Sequence, residues 1–204
     1  MLQAADLQPL TPALTVWQAY DPAVKADLCS TCIRLENRLF LVDPIPLTPD
    51  ALRELSARDS VCAVFVTNTN HARAAGFFAG QSGATVLASA TTANALIDLE
   101  ILSIAAGDLV ADHIEVIALE GAAEGEIALH LRNDGGSIVL GDALINFEPN
   151  GFTLLPAKYC SDQKLMRRSL RQLLDFSFER LLFAHGTPIV SSARTKLEVL
   201  LADR

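Results

Sequence analysis

The sequence predicts a mixed chain of the α/β or α+β class, and three kinds of stretch carry that expectation. Val61-Cys62-Ala63-Val64-Phe65-Val66 is a run of mostly β-favouring apolar residues, followed by a short polar loop and an alanine-rich helix start. Two hairpins are encoded, one around Glu36-Asn37-Arg38 and one around Asn133-Asp134-Gly135-Gly136, whose residues suit tight turns. Residues 162–175 form an amphipathic pattern that places Leu165, Met166, Leu170, Leu173 and Leu174 on the inward side of a helix.

In chain order, residues 14–20 read as a first strand, and Asp21-Pro22 opens a polar loop that runs to Asp27. Strand 28–35 turns back as 39–42, and Asp43-Pro44 closes that pair. Pro49-Asp50 begins a helix to about residue 57, with Asp50 suited to a cap or first turn. The central strand from Val61 comes next, then a helix from His71 that Gly80 or Gly83 ends. A short strand, 84–87, leads to a helix capped by Ser89 and running to about residue 99. Strands follow at 113–119, 126–131 and 137–140, then the amphipathic helix, a strand at 181–184 and a closing helix at 192–201. No repeat, low-complexity tract or linker interrupts the pattern, so one domain over residues 1–204 is expected.

Composition narrows the function classes. Half of the 204 residues are hydrophobic and 20% are charged, as in a globular chain rich in buried sheet. A formal charge of -8 argues against a nucleic-acid partner, because phosphate contacts need clustered Lys and Arg. The N-terminal residues lack a basic stretch followed by an apolar one, and no run approaches a membrane span. A cytoplasmic chain without membrane partners and with reduced thiols is therefore expected. Cys29 and Cys32 are three apart in a strand and should face opposite ways, while Cys62 and Cys160 stand alone, so all four read as small hydrophobes. Lys164, Arg167, Arg168 and Arg171 form a stripe of the kind any solvated helix face carries. His113 and His130 lie in strand patterns without partner motifs, and Thr69 and Ser161 have no base in a recognisable nucleophile arrangement.

Polar side chains between a central strand and a helix sit where α/β proteins usually keep their chemistry. Here they are Asn68, Asn70, His71 and Arg73. The stretch resembles the first motif of the metallo-β-lactamase superfamily, T-H-x-H-x-D-H followed by a glycine. Thr67 and Gly76 match, while Asn68, Asn70, Ala72 and Arg73 stand in the ligand positions. Three more stretches extend the likeness. Gly121-Ala122-Ala123-Glu124-Gly125-Glu126 is similar to the family's G-H-T-P-G segment, with Ala122 in place of the histidine. Val139-Leu140-Gly141-Asp142-Ala143 resembles the G-D motif, whose aspartate bridges two metals in active members. Phe183-Ala184-His185-Gly186-Thr187-Pro188 resembles G-H-G-x-P, and Asp43-Pro44 resembles the L-V-D-P-G element. The resemblance implies an αββα sandwich of two mixed sheets flanked by helices.

It also implies a depleted metal centre. Of seven ligand positions, five histidines and two aspartates in active relatives, only Asp142 and His185 keep a ligand. These two are the residual metal positions and the catalytic candidates. Catalytic zinc needs about three protein ligands and an open position, so a site would require His71. That residue neighbours a ligand position, and its ring is expected to point elsewhere. Three readings follow. The first is a relative without the dinuclear centre and without a cofactor, which binds a small anion or a protein partner and hydrolyses nothing. The second is a mononuclear hydrolase in which zinc or another divalent ion is held by Asp142, His185 and His71. The third is a metal-free enzyme with an anion site at Arg73. Asn68, Asn70, His71 and Arg73 would line that anion site at the helix N-terminus, and Arg73 would reach in to pair with Asp142.

Overall fold

The computed structural model describes residues 2–147 and 151–202. A seven-stranded sheet contains β1 (Gln8–Thr11), β2 (Leu14–Asp21), β3 (Ala26–Leu35), β4 (Arg38–Val42), β5 (Ser60–Val66), β6 (Thr85–Ser89) and β7 (Ile101–Ile104) in sequential order. Its first four strands pair antiparallel, and β4 to β7 are parallel. A second sheet is built from β8 (Leu109–Val110), β9 (Ile114–Ala118), β10 (Ile127–Leu131), β11 (Ser137–Leu140) and β14 (Arg180–Phe183), in the order β14-β11-β10-β9-β8. Only its β11/β14 pair is parallel. Between those two strands in sequence, β12 (Leu144–Phe147) and β13 (Gly151–Leu154) form a small hairpin. The helices are α1 (Pro49–Leu55), α2 (Ala75–Ser82), α3 (Ala90–Ala95), α4 (Gln163–Leu170), extended by a 3₁₀ stretch at Arg171–Asp175, and α5 (Ala193–Ala202).

The two-residue period of the strands divides the buried residues into layers. Val16, Ile33, Phe40, Ala63 and Phe65 face Val116, Leu129, Val139 and Leu182 between the sheets. Their alternates Leu39, Leu41, Val64 and Val66 pack with Leu55 and Phe78 of α1 and α2. On the far side, Ile138, Leu140, Leu181 and Phe183 pack with Met166, Leu170, Leu197 and Leu201 of α4 and α5. The result is a helix–sheet–sheet–helix sandwich of two mixed sheets.

Most expected elements are present with shifted ends. Turn chemistry gave the second hairpin its register, from Ala128↔Leu140 to Leu131↔Ser137. Its Gly136 has φ +83, and a Cβ there would lie 2.1 Å from the Ser177 carbonyl oxygen, so only glycine fits. The helix expected from His71 begins at Ala75, and Gly83, left-handed with φ 71, ends it. The helix after Ser89 stops at Ala95 rather than near residue 99, although the Ser89 side chain does accept from the Thr92 N–H. Strands β1, β7, β8, β12 and β13 carry no expectation from the sequence, being short and flanked by irregular stretches.

The cysteine reading agrees with the layers. Cys29 lies between the sheets, whereas Cys32 faces the α1/α2 side. Burial pushes both thiols up to about 12, so little reactive thiolate forms in the native state. Thiol labelling of the folded protein should leave Cys29 and Cys32 unmodified until denaturant is added, and rapid native labelling of either would contradict this packing. The basic stripe on α4 is more tied down than a free solvated face. Arg167 and Arg171 donate to the carbonyls of Leu200 and Leu201, near the C-terminal end of α5, where cations are favoured.

Sheet register decides where the chemistry collects. The parallel pair β4/β5 ends with Val42 beside Phe65, so Asp43 and Thr67 leave the first sheet together. The parallel pair β11/β14 ends with Leu140 beside Phe183, so Asp142 and His185 leave the second sheet in step. Leu28 of β3 bridges to His185, and the Cys29 N–H donates to the Ala184 carbonyl at 2.8 Å, which ties the two strand ends across the sandwich.

Candidate metal centre

Asp43 begins the site. It is 2% exposed and left-handed, with φ 48. Its Oδ1 accepts the Thr67 N–H at 2.8 Å, and its Oδ2 accepts the Thr67 hydroxyl at 2.5 Å. The same Oδ2 lies 2.9 Å from His71 Nδ1. Burial works to raise the pKa of this carboxyl, but the His71 charge and its hydrogen bond, with Arg73 and Thr67, hold it below the ordinary range.

His71 is where the structure departs furthest from expectation. Its ring does not point away: Nε2 lies 3.3 Å from Asp142 Oδ1, while Nδ1 faces Asp43. The reason is local. The helix does not start until Ala75, and residues 68–71 form a turn closed by the His71 N–H donating to the Asn68 carbonyl. The ring then drops between the two strand ends. Burial disfavours the imidazolium, but Asp43 and then Asp142 outweigh it, even against Arg73, and raise the His71 pKa to about 9.

Asp142 is 8% exposed and carries two histidines on one oxygen, since His185 Nε2 also lies 3.3 Å from Oδ1. Its pKa sits well below the ordinary range, because the His71 charge and the His185 hydrogen bond overcome burial. Its second oxygen, Oδ2, accepts from Asn68 Nδ2 at 3.1 Å. Asn68 Nδ2 also donates to Glu126 Oε2 at 2.7 Å. Burial and the neighbouring Asp142 charge push Glu126 up to about 8, despite help from the Ala143 N–H.

Arg73 corrects a second expectation. Its guanidinium does turn inward, but it does not pair with Asp142. Nη1 donates to the Cys29 and Asp43 carbonyls at 2.9 and 3.0 Å, and Nη2 donates to the Ala184 carbonyl at 3.2 Å. With φ 38, its backbone prevents α2 from extending back to His71. The direct cationic partner of Asp142 is therefore His71, and Arg73 acts on Asp142 and His71 only through space. The helix-end anion site loses its helix, since the Ala74 and Ala75 N–H groups donate to Pro44 and Ala72. Of the four residues expected to line it, Asn70 is exposed, and Asn68 and His71 are buried with their polar atoms engaged inside the protein.

His71, Asp142 and His185 bring three ligand atoms within 4.8 Å of one another. Around a tetrahedral ion with bonds of about 2.0–2.1 Å, neighbouring donors are about 3.3 Å apart. Both measured Asp142 edges have that length. Asp43 behind His71 is the carboxylate–histidine pairing that fixes a ligating ring: Nδ1 faces Asp43 and Nε2 faces inward, where it would ligate once its proton is released. The donor set thus fits one divalent ion. His185 lacks such support: its Nδ1 is buried without a partner among the described residues.

Thr67, Asp43 and Glu126 were not singled out by sequence reasoning as site residues. The signal for Asp43 was an aspartate closing the strand beside the central one. For Glu126 it was a carboxylate directly preceding the wholly apolar β10 residues Ile127, Ala128 and Leu129. His113 and His130 lie apart from the centre. The His130 ring faces the Ser177 carbonyl and packs on Phe176.

A sequence model of the metallo-beta-lactamase superfamily matches residues 8–203, and the chain belongs to that superfamily. No curated protein matches the sequence. Among solved structures, the DIM-1 metallo-beta-lactamase superposes with a TM-score of 0.76 at 14% identity, covering 99% of each chain. A metallo-beta-lactamase family protein from Thermus thermophilus gives 0.69 at 21%, covering 95% of this chain and 80% of its own. A metallo-beta-lactamase from Pontibacter korlensis gives 0.75 at 12%, covering all of both chains. At these identities the likeness is one of fold. No helix among the described residues is long and apolar enough to cross a membrane.

Proposed function

We propose that this protein is a mononuclear metal-dependent hydrolase, with one divalent ion held by His71, Asp142 and His185. The observation that carries the reading is the convergence of those three donors, with Asp43 braced behind His71. A divalent ion at that position supplies Lewis acidity, which polarises an ester, amide or phosphoryl oxygen and acidifies water. The chain's own residues prepare for it. Asp43 keeps the Nδ1 proton on His71 and directs Nε2 inward, and Asn68 occupies Asp142 Oδ2 so that Oδ1 is the ligating oxygen. Because His71 must release its Nε2 proton, binding is coupled to proton release and strengthens as pH rises.

Metal-free protein titrated with zinc in a calorimeter should bind one equivalent, and His71→Ala should bind none. Loaded protein should then cleave a chromogenic lactam, ester or phosphodiester, with the activity lost in His71→Ala. Absence of zinc binding, together with a melting temperature indifferent to excess zinc, would overturn the reading.

One observation supports a second reading. Both ring nitrogens of His71 already face carboxylates, so a proton on the ring can neutralise the site without a metal. The protein would then be a non-hydrolytic member that binds a small anion or a protein partner. Cytoplasmic residence accords with either reading, because the thiols are reduced in both.

A further inference from the structure

Asn68 stands where active relatives are expected to carry a histidine ligand, and every polar atom of its side chain is engaged. Its Oδ1 accepts the Asn70 N–H at 2.9 Å. One Nδ2 hydrogen goes to Glu126 Oε2 and the other to Asp142 Oδ2. The amide is 0% exposed and Glu126 is 3% exposed. Glu126 is itself fixed from both sides, since its Oε1 accepts the Ala143 N–H at 3.0 Å. Only a carboxyl group accepts at both ends in this way, whereas a glutamine would accept at one end and present a donor at the other. The cluster also requires Gly141, where a Cβ would lie 2.5 Å from the Thr67 hydroxyl, 2.8 Å from Asn68 Nδ2 and 3.0 Å from Glu126 Oε1.

The direction of the amide is what matters. Its NH₂ group cannot ligate a cation, and it covers the Asp142 oxygen that faces away from His71 and His185. A second ion sharing Asp142 from that side would find the oxygen already taken by the amide. We propose that Asn68 and Glu126 form a hydrogen-bonded plug in place of a second metal position. Glu126 is then a positioning residue: it orients the Asn68 amide, and through it restricts Asp142 to one ligating oxygen and the centre to one ion. The inference rests on the one-ion reading above and concerns which residues enforce it.

Asn68→Asp tests it with almost no change of shape. The substitution keeps the acceptor for the Asn70 N–H, removes both donors and leaves three carboxylates together, a set suited to manganese. Metal-free protein is loaded with zinc, titrated with manganese and freed of unbound ion, and the bound metals are counted by mass spectrometry. The parent should carry one zinc and no manganese, and Asn68→Asp one zinc and one manganese. If the variant does not fold without metal, manganese should restore a cooperative melt, and failure to do so counts against the plug. A parent that takes a second ion, or a variant that takes no more than the parent, overturns the proposal. A parent that binds no zinc refutes the one-ion reading instead, while manganese uptake by Asn68→Asp alone still reads the plug. Glu126→Gln supplies a second readout: zinc affinity should fall 10–100-fold, as for other groups that orient a ligand, with the cobalt(II) absorption band shifted. An unchanged affinity and band would remove Glu126 from the positioning role.

Discussion

Replacing Asp43 with alanine should lower the unfolding free energy by about 3–5 kcal/mol, the cost of breaking a buried pair from one side. Asp43 serves three donors at once: the Thr67 N–H, the Thr67 hydroxyl and His71 Nδ1. Its removal leaves a buried imidazolium without its nearest counter-charge and a buried backbone N–H without an acceptor. Urea denaturation of the metal-free protein measures the loss. Because much of the cost is the stranded His71 charge, Asp43→Ala combined with His71→Leu should recover a substantial part of it. A single variant as stable as the parent, or a double variant no better than the single, would show that the pair does not organise this end of the fold.

The second large effect is a loss of stability of the metal-free protein between about pH 6 and pH 9. The His71 pKa is raised from 6.5 to about 9, so its stabilising contribution is complete below 6.5 and disappears as pH rises through 9. A shift of that size corresponds to about 3 kcal/mol. Glu126 acts in the same direction. Raised from 4.5 to about 8, it keeps a proton that the unfolded chain has already released, and stability falls as pH rises through that window. Asp43 and Asp142 are lowered, so their contributions are present above the ordinary 3.8 and are lost only as pH falls through their folded values. The stability maximum should therefore lie on the acid side of neutrality. Denaturant melts at several pH values check this, and His71→Leu should flatten the slope above pH 6.5. Saturating zinc should oppose the decline, because the ion binds the deprotonated ring. A metal-free protein equally stable at pH 6 and pH 9 would contradict the bridging role of His71.

The individual elements were legible because they depend on local rules. Alternation along β3 and β5, the Asn133–Gly136 turn and the leucine spacing of α4 each determine a face or a reversal within a few residues. The placement of Asp142 and His185 was legible for the same reason, since each stands two residues beyond a recognisable strand. The short strands β7, β12 and β13 were not, because four-residue segments acquire strand geometry from the neighbours they pair with.

By itself, the sequence determined a mixed α/β or α+β chain with hairpins and a polar strand-end loop from Thr67 to Arg73, while its motif resemblance implied two helix-covered sheets. The tertiary structure decided which side chain faces the candidate metal centre. Reading positions against the motif sent the His71 ring away and Arg73 toward Asp142; in the folded chain His71 faces Asp142, and Arg73 turns inward onto backbone carbonyls. Arg73 is held in a left-handed turn by three carbonyls drawn from both sheets, which stops α2 at Ala75 and frees the preceding turn. Asp43, 28 residues before His71, then captures its ring and aims it at Asp142. Ring orientation here depends on charges and carbonyls brought together from four strand ends, and no spacing within one loop encodes that.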